Sequence, residues 1–227
     1  MDSLGDRIKC YEAVTRHFAT PRMPLIIRLD GRAFHTFTRN LQRPFDENFI
    51  DAMTGAALQV AKEMQGFKVA YIQSDEVTFC ITDYDELNSQ GWFGYNLQKI
   101  LSISASTMSV NFIKTLGTDQ LPVFDSRAFS VPISDVVNTF LWRAKDWERN
   151  SLQMYSRAFF SHKELHRQNT SSMHNMLKTI DKSWANDLSP KLKNGTFLID
   201  NNNGIEIRED IKPNYRDIAA VINPLIK

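Results

Sequence analysis

Two short stretches in the first third of the chain gather the residues best suited to chemistry. The first, Leu25-Ile26-Ile27-Arg28-Leu29-Asp30-Gly31, is an apolar run that ends in an acid and a glycine. The second, Gln73-Ser74-Asp75-Glu76, sets two acids between Phe67–Ile72 and Val77–Ile81. A buried strand that ends this way delivers a carboxylate to its own tip. Acids between two strand-like runs sit in a hairpin turn. With the hairpin beside the first strand, Asp30 and Asp75 converge and Glu76 lies next to them, so these three are the catalytic candidates. Converging carboxylates are hard oxygen ligands that can share two Mg2+ ions with a phosphate group. Gly31 can offer its carbonyl to such a metal, with Asp30 and Asp75 as the other ligands. The successive amides of Gly31, Arg32, Ala33 and Phe34 can cradle a triphosphate. Taken alone, Phe34 and Phe37 read as core aromatics and His35 as a satisfied polar residue.

These stretches need a frame. Ser3 can cap a first helix whose stripe Leu4, Ile8, Tyr11, Val14, Phe18 would cover the core, until Pro21 and Pro24 stop it. Asp46 caps a second helix with Phe49, Ile50, Met53, Ala57, Val60, Ala61 and Met64 on one face, ended by Gly66. Trp92-Phe93 opens a third, with Leu97, Leu101, Ala105 and Met108 in step. Its small residues, Ser104 among them, permit close packing on a sheet. Leu121–Phe129 reads as a strand in which Asp125 is either a third acid or the ion-pair partner of Arg127, with the structural role favoured. Another helix starts at Pro132 or Ser134 and presents Val136, Val137, Phe140, Leu141 and Ala144. A strand ends at Ile199, Asp200–Gly204 turns the chain, and Ile205–Ile207 returns. The tail after Ile211 carries no readable pattern. The order strand, helix, strand, strand begins a βαββαβ palm, an α+β fold with an antiparallel sheet and helices on one face. Residues 1–130 form this palm and 131–227 a helical appendage, the two making one compact unit.

The totals narrow little. The chain has 227 residues, 27 basic and 26 acidic, so net charge names no partner. Locally, Asp75, Glu76, Asp83, Asp85 and Glu86 form an acidic focus without a base. The region 151–193 is mildly basic. This division suits metals on one side and nucleic acid on the other, and equally suits two ordinary solvated faces. Two cysteines, Cys10 and Cys80, argue against a disulfide framework and fit a reducing cytosol. No signal peptide or membrane span is apparent, so a cytoplasmic protein with no membrane partner is expected. His162 and His166 have the spacing of two metal ligands on a helix, with His174 a distant third. A basic or solvated helix explains them better than zinc, with Arg157, Lys163, Arg167, Lys178 and Lys182 as phosphate contacts if RNA binds there.

The motifs Arg28-Leu29-Asp30-Gly31-Arg32-x-Phe34-His35 and Gln73-Ser74-Asp75-Glu76 resemble those of the tRNA-histidine guanylyltransferase family, more closely its guanylyltransferase-like branch. Weaker matches run through Phe124-Asp125-Ser126-Arg127 and Trp142-Arg143. The resemblance implies 3′-to-5′ addition of nucleotides to the 5′ end of tRNA, from GTP and other nucleoside triphosphates, with ATP activating a 5′ monophosphate. It implies a nucleotide site of Asp30, Gly31, Arg32, Ala33, Phe34, His35, Ser74, Asp75 and Lys99, an RNA phosphate contact at Lys193, and a homotetramer. Lys99 reads as well as a surface lysine. This chain departs from the family pattern at three places. Arg43 replaces a usual lysine, Tyr95-Asn96 stand where paired arginines are common, and Glu148 stands at the histidine of a motif tied to tRNA-histidine. The last change favours template-dependent repair of 5′-truncated tRNA over addition of G at position −1. A nucleotide cyclase, which uses a similar palm and acid pair, and a non-catalytic RNA-binding protein are the rival readings.

Overall fold

The computed structural model describes residues 3–201 and 203–227. In chain order the elements are α1 Leu4–Val14, β1 Leu25–Gly31, the one-turn α2 Phe34–Phe37, α3 Glu47–Glu63, β2 Phe67–Gln73 and β3 Glu76–Ile81. Then come α4 Leu97–Leu116, β4 Phe124–Ser130, α5 Ile133–Arg157, the short α6 His162–Leu165 and α7 Thr170–Lys178. The one-turn α8 Trp184–Asp187, α9 Pro190–Asn194, β5 Thr196–Asp200, β6 Ile205–Arg208 and α10 Tyr215–Ile222 complete the chain. Asn202, within the expected 200–204 turn, lies outside the described residues.

Six strands form one antiparallel sheet in the order β4-β1-β3-β2-β5-β6. Its first four strands, with α3 and α4, are the expected α+β βαββαβ palm. Side chains alternate across a strand, and β1 uses both faces. Leu25, Ile27 and Leu29 join the core under α3 and α4, whereas Ile26 joins a second core with Val136, Val137 and Phe140 of α5 and Ile218 and Ile222 of α10. Helices therefore cover both faces, where one covered face was expected. Apolar alternation on both sides of β1 is what a second layer requires. The C-terminal part is also more than helical: β5 pairs with β2, and β6 extends the sheet. A third cluster, including Trp147, Leu152, Tyr155, Met173 and Leu177, fastens α7 to the far half of α5.

Local chemistry fixes most helix starts. Asp46 accepts from Phe49 N–H at 2.9 Å and caps α3. Asn96 caps α4 by accepting from Lys99 N–H. The expected opening of α4 at Trp92 is instead a separate turn, because Phe93 and Gly94 are left-handed and cannot continue a helix. The buried stripe of α4 is Ile100, Ser104, Met108 and Phe112. Of the expected stripe Leu97, Leu101, Ala105 and Met108, only Met108 is fully buried. Ser104 shares a 2.8 Å hydrogen bond with Ser126 of β4, which brings the helix close to the sheet.

Two other expectations change. Ser3 caps α1 as read, yet no residue of α1 is buried, and Leu4, Ile8, Tyr11 and Val14 stay exposed, as does Phe18 beyond it. Helical spacing shows which face would bury, not whether anything lies against it. Conversely α10, unread in the sequence, is capped by Asn214 and buries Ile218, Ala219 and Ile222.

Beneath the tip of β1, the rings of Phe34, Phe37, Phe49, Phe112 and Phe124 pack with several centroid separations of 5.0–6.1 Å. Phe112 is fully buried at their centre. Phe112→Ala is expected to lower stability by about 3–5 kcal/mol in urea denaturation, the usual cost of removing a core aromatic.

Candidate functional site

The site forms at one end of the sheet, where β1 stops and β2 turns into β3. Asp30 stands opposite Glu76 of β3 on one side and Asp125 of β4 on the other. Gly31 N–H donates to the Asp75 carbonyl at 3.0 Å, so the loop carrying Asp75 is bonded to the strand end carrying Asp30. Ser74, left-handed at φ 48°, makes the turn. Asp30 and Asp75, far apart in sequence, thus lie together, both half-buried. Burial first, and the neighbouring Asp125, push the Asp30 carboxyl above the ordinary carboxylate range against the pull of Arg127, Arg28 and Arg143. Burial raises Asp75 as well, helped by Asp30 and opposed by hydrogen bonds from the backbone and Ser74.

Among the described residues neither carboxylate has an ion-pair partner within 4 Å. Crowded, partly desolvated acids with no direct ion pair are what a divalent cation relieves. No group of three His, Cys, Asp or Glu among the described residues is arranged to hold a metal by itself. An ion such as magnesium binds through one or two carboxylates plus substrate phosphates and water, so it needs no all-protein cage. The donor set of Asp30, Asp75 and the Gly31 backbone therefore fits the ion.

Glu76 has a different situation. It begins β3, is buried, and receives both prongs of Arg143 from α5, at 2.6 Å (Nε to Oε1) and 2.8 Å (Nη2 to Oε2). Arg143 also donates to Asp146 at 3.1 Å. Both Glu76 oxygens are therefore engaged by a guanidinium, in the bidentate geometry that fixes direction as well as charge. Sequence reading took Arg143 only as part of a family match. Its signal lay in its spacing, three residues after Phe140 and seven after Val136, on the buried face of α5. An arginine there needs a buried acid.

The loop after β1 is shaped by packing. A Cβ on Gly31 would sit 2.4 Å from the Phe34 ring, so the glycine makes room for that ring. Phe34 is buried and can offer only its backbone to a ligand. Ala33 is left-handed at φ 57°, and Arg32, Ala33 and His35 are exposed at the rim. Arg32 N–H is already used by the Val123 carbonyl at 2.9 Å, so that amide is not free for a phosphate.

Other candidates lie further out. Lys99 is exposed on the first turn of α4, and no ion pair or side-chain hydrogen bond ties it to the acids. Arg157, Lys163 and Arg167 are exposed along the end of α5, α6 and the following loop, as are Lys178 and Lys182 near α7. Lys193 donates to the Ala185 carbonyl and lines a separate cavity with Lys145, Glu148 and Trp184. Glu148 is paired with Lys145 at 2.8 Å. Asp125 pairs with Arg127 at 3.2 Å, the structural role favoured for it. The rings of His162 and His166 lie 6.2 Å apart, and His174 packs on Trp184, with no acid or thiol completing a zinc set. Among the described residues no helix is long and apolar enough to cross a membrane.

Comparison with known proteins finds relatives of this chain and of its fold. The family model described as tRNAHis guanylyltransferase matches residues 5–132. A solved bacterial tRNA(His) guanylyltransferase (Thg1)-like protein in complex with ATP superposes with a TM-score of 0.92 at 36% identity, covering 97% of this chain and 98% of that one. A second such bacterial structure, in complex with GTP, gives 0.83 at 33% identity over 98% of this chain and 99% of the other. A probable tRNA(His) guanylyltransferase of Drosophila melanogaster is 26% identical over 210 residues, 88% of this chain and 65% of its own length. The chain spans about half the length of the matched mouse and Dictyostelium discoideum proteins.

Two stability measurements follow from the site. Arg143→Ala leaves a buried Glu76 charge uncompensated and is expected to cost about 3–5 kcal/mol in urea denaturation. Adding Glu76→Gln to that variant should recover part of the loss. Asp30→Asn is expected to raise the Tm at neutral pH in EDTA. Because the folded carboxyl titrates above its unfolded value of 3.8, the folded state binds the proton more tightly. Its ionisation then subtracts stability as pH rises through that window. The advantage of the Asn variant should therefore shrink as pH is lowered through it, read as Tm against pH for both proteins.

Proposed function

The chain belongs to the tRNAHis guanylyltransferase family, and on that premise we propose that it is a magnesium-dependent 3′–5′ nucleotidyltransferase acting on the 5′ end of tRNA. One observation carries the reading: Asp30 and Asp75 are bonded together through Gly31 at one end of the palm sheet. The bacterial relatives with ATP and GTP support nucleoside triphosphates as substrates.

Two bound Mg2+ ions would neutralise the triphosphate and lower the pKa of the attacking 3′ hydroxyl. Asp30, Asp75 and the Gly31 carbonyl are the residues that would hold them. The backbone of Ala33 and Phe34 orients the triphosphate, with Ser74, Arg32, His35 and Lys99 around it. Glu76 acts through Arg143, holding the start of β3 against α5 so that Asp75 keeps its place beside Asp30. It is a positioning residue rather than a third ligand. Arg157, Lys163, Arg167 and Lys193 contact the tRNA backbone. ATP activates a 5′ monophosphate, and GTP or another triphosphate supplies the added nucleotide. The base opposite dictates which nucleotide is added. Repair of 5′-truncated tRNA is the preferred task, since Glu148 replaces the family histidine tied to tRNA-histidine. Addition of G at position −1 is the second reading, favoured by the names of the curated relatives. The protein works in the cytoplasm as a homotetramer.

Asp30→Ala and Asp75→Ala are each expected to lower nucleotide addition to a 5′-truncated tRNA by at least about a hundred-fold, the scale of losing one stabiliser of reacting charge. Undiminished magnesium-dependent addition in both variants would overturn the reading. A cyclic nucleotide formed from ATP or GTP without RNA would replace it with a cyclase, and salt-sensitive tRNA binding without turnover would leave an RNA-binding protein.

A further inference from the structure

Beside the acids, the same sheet face carries an arrangement that packing does not explain. Arg28 precedes Asp30 by two positions, so both point to the α5 side, about 6.6 Å apart along the strand. Directly opposite Arg28 on the edge strand β4 stands Arg127. Like charges facing each other across two strands are destabilising. Arg127 has an exposed contact with Asp125 at 3.2 Å, and both arginines act on the nearby Asp30 carboxyl. The Arg28 Nε is buried without a hydrogen-bond partner. Against Arg28 lies Trp142 of α5, 55% exposed. Its ring centroid is 5.5 Å from the Arg28 guanidinium carbon and 4.5 Å from that of Arg143. Arg143 is itself clamped by Glu76. One ring is thus held by two cations while more than half its surface stays open. Two residues beyond Arg127 on β4, Phe129 is also 40% exposed.

We propose that Trp142 is a stacking platform for one unpaired nucleotide of the RNA substrate, with the adjoining phosphate held by Arg28 and Arg127. The inference rests on the RNA-acting reading above and adds a binding site to it. A large open aromatic beside paired guanidinium groups is how proteins hold single-stranded RNA without reading its sequence. The phosphate would add negative charge to a facing arginine pair that has one exposed ion pair and a share in the Asp30 carboxyl. A protein partner would leave that repulsion in place unless it brought its own acids. The position matters for the reaction. A nucleotide stacked there lies against Arg28, two residues along β1 from Asp30, one of the acids that would hold the incoming triphosphate. The Glu76–Arg143 pair then aligns two things at once: the start of β3 and the platform.

The test uses the whole protein and a 5′-truncated tRNA carrying 2-aminopurine at each unpaired acceptor-end position in turn. With the native protein, one position should show quenching on binding. Trp142→Ala should abolish that quenching and weaken tRNA affinity about ten- to a hundred-fold, the range for losing one base stack. Trp142→Phe should retain most of both. Arg127→Gln should weaken binding and reduce the salt slope by about one. The KM for the nucleoside triphosphate should stay the same in both Trp142 variants. Unchanged tRNA affinity and quenching in Trp142→Ala, with tRNA addition intact, would overturn the platform and leave the proposed activity standing. A changed oligomeric state in size-exclusion chromatography with tRNA affinity preserved would assign Trp142 to a protein interface and also overturn it. A native protein that neither binds nor extends tRNA would overturn the activity, and the platform with it.

Discussion

Two carboxylates held together against their own repulsion are the constraint on which this structure turns. Neither Asp30 nor Asp75 has a cation of its own, and both are held above their ordinary pKa chiefly by burial. An arrangement of that kind survives only where the backbone leaves no alternative. Here the β1–β3 register sets Asp30 opposite Glu76, and the Gly31 amide ties down the turn that follows. The aromatic cluster below, closed over Gly31 by Phe34, keeps the strand end from splaying. Packing on one face of the sheet therefore fixes acids that project from the other. That division of labour suits a site that must keep its shape while its charge changes with ligand.

The buried Glu76–Arg143 pair joins the two halves of the chain. Burying an ion pair is seldom a net gain in stability, because desolvation offsets the attraction. What it does supply is direction. A bidentate guanidinium permits one relative placement of α5 and β3, and removing either partner leaves a charge in the core. The helix that carries Arg143 also packs Val136, Val137 and Phe140 against the sheet and Leu152 and Tyr155 against α7. The C-terminal half is therefore part of the site as well as a cover for it.

The exposed surface is unevenly used. The stripe on α1 is apolar and uncovered, whereas Arg157, Lys163 and Arg167 gather near the far end of α5. Asp30 and Asp75 stand at one end of the sheet, and the Arg28–Arg127–Trp142 group lies along the same face beside them. At the site itself acids and arginines are interleaved, with Arg28, Arg127 and Arg143 all close enough to act on the Asp30 carboxyl. A surface that carries both signs side by side can meet metal ions through its acids and phosphates through its arginines.

How much was legible depends on the range of the interaction. Local patterns carried the palm: an apolar run ending in Asp30-Gly31, a hairpin around Ser74-Asp75, and the Asp46 cap all lie where the residues place them. So does the meeting of Asp30 and Asp75, because strand order and a short turn left them one place to go. Long-range contacts were not legible. That α1 would stay uncovered, that α4 would bury Ile100 and Ser104 rather than Leu97 and Leu101, and that α10 would close the second face depend on what lies opposite each surface. Glu76 looked like a member of the acid group until the fold set Arg143 against it across 67 residues. Periodicity and turn chemistry are properties of neighbours along the chain, so the sequence by itself determined the elements and the tips at which the acids stand. Which charge meets which partner is settled by packing between distant segments, so only the tertiary structure decided that two acids remain open and the third is neutralised.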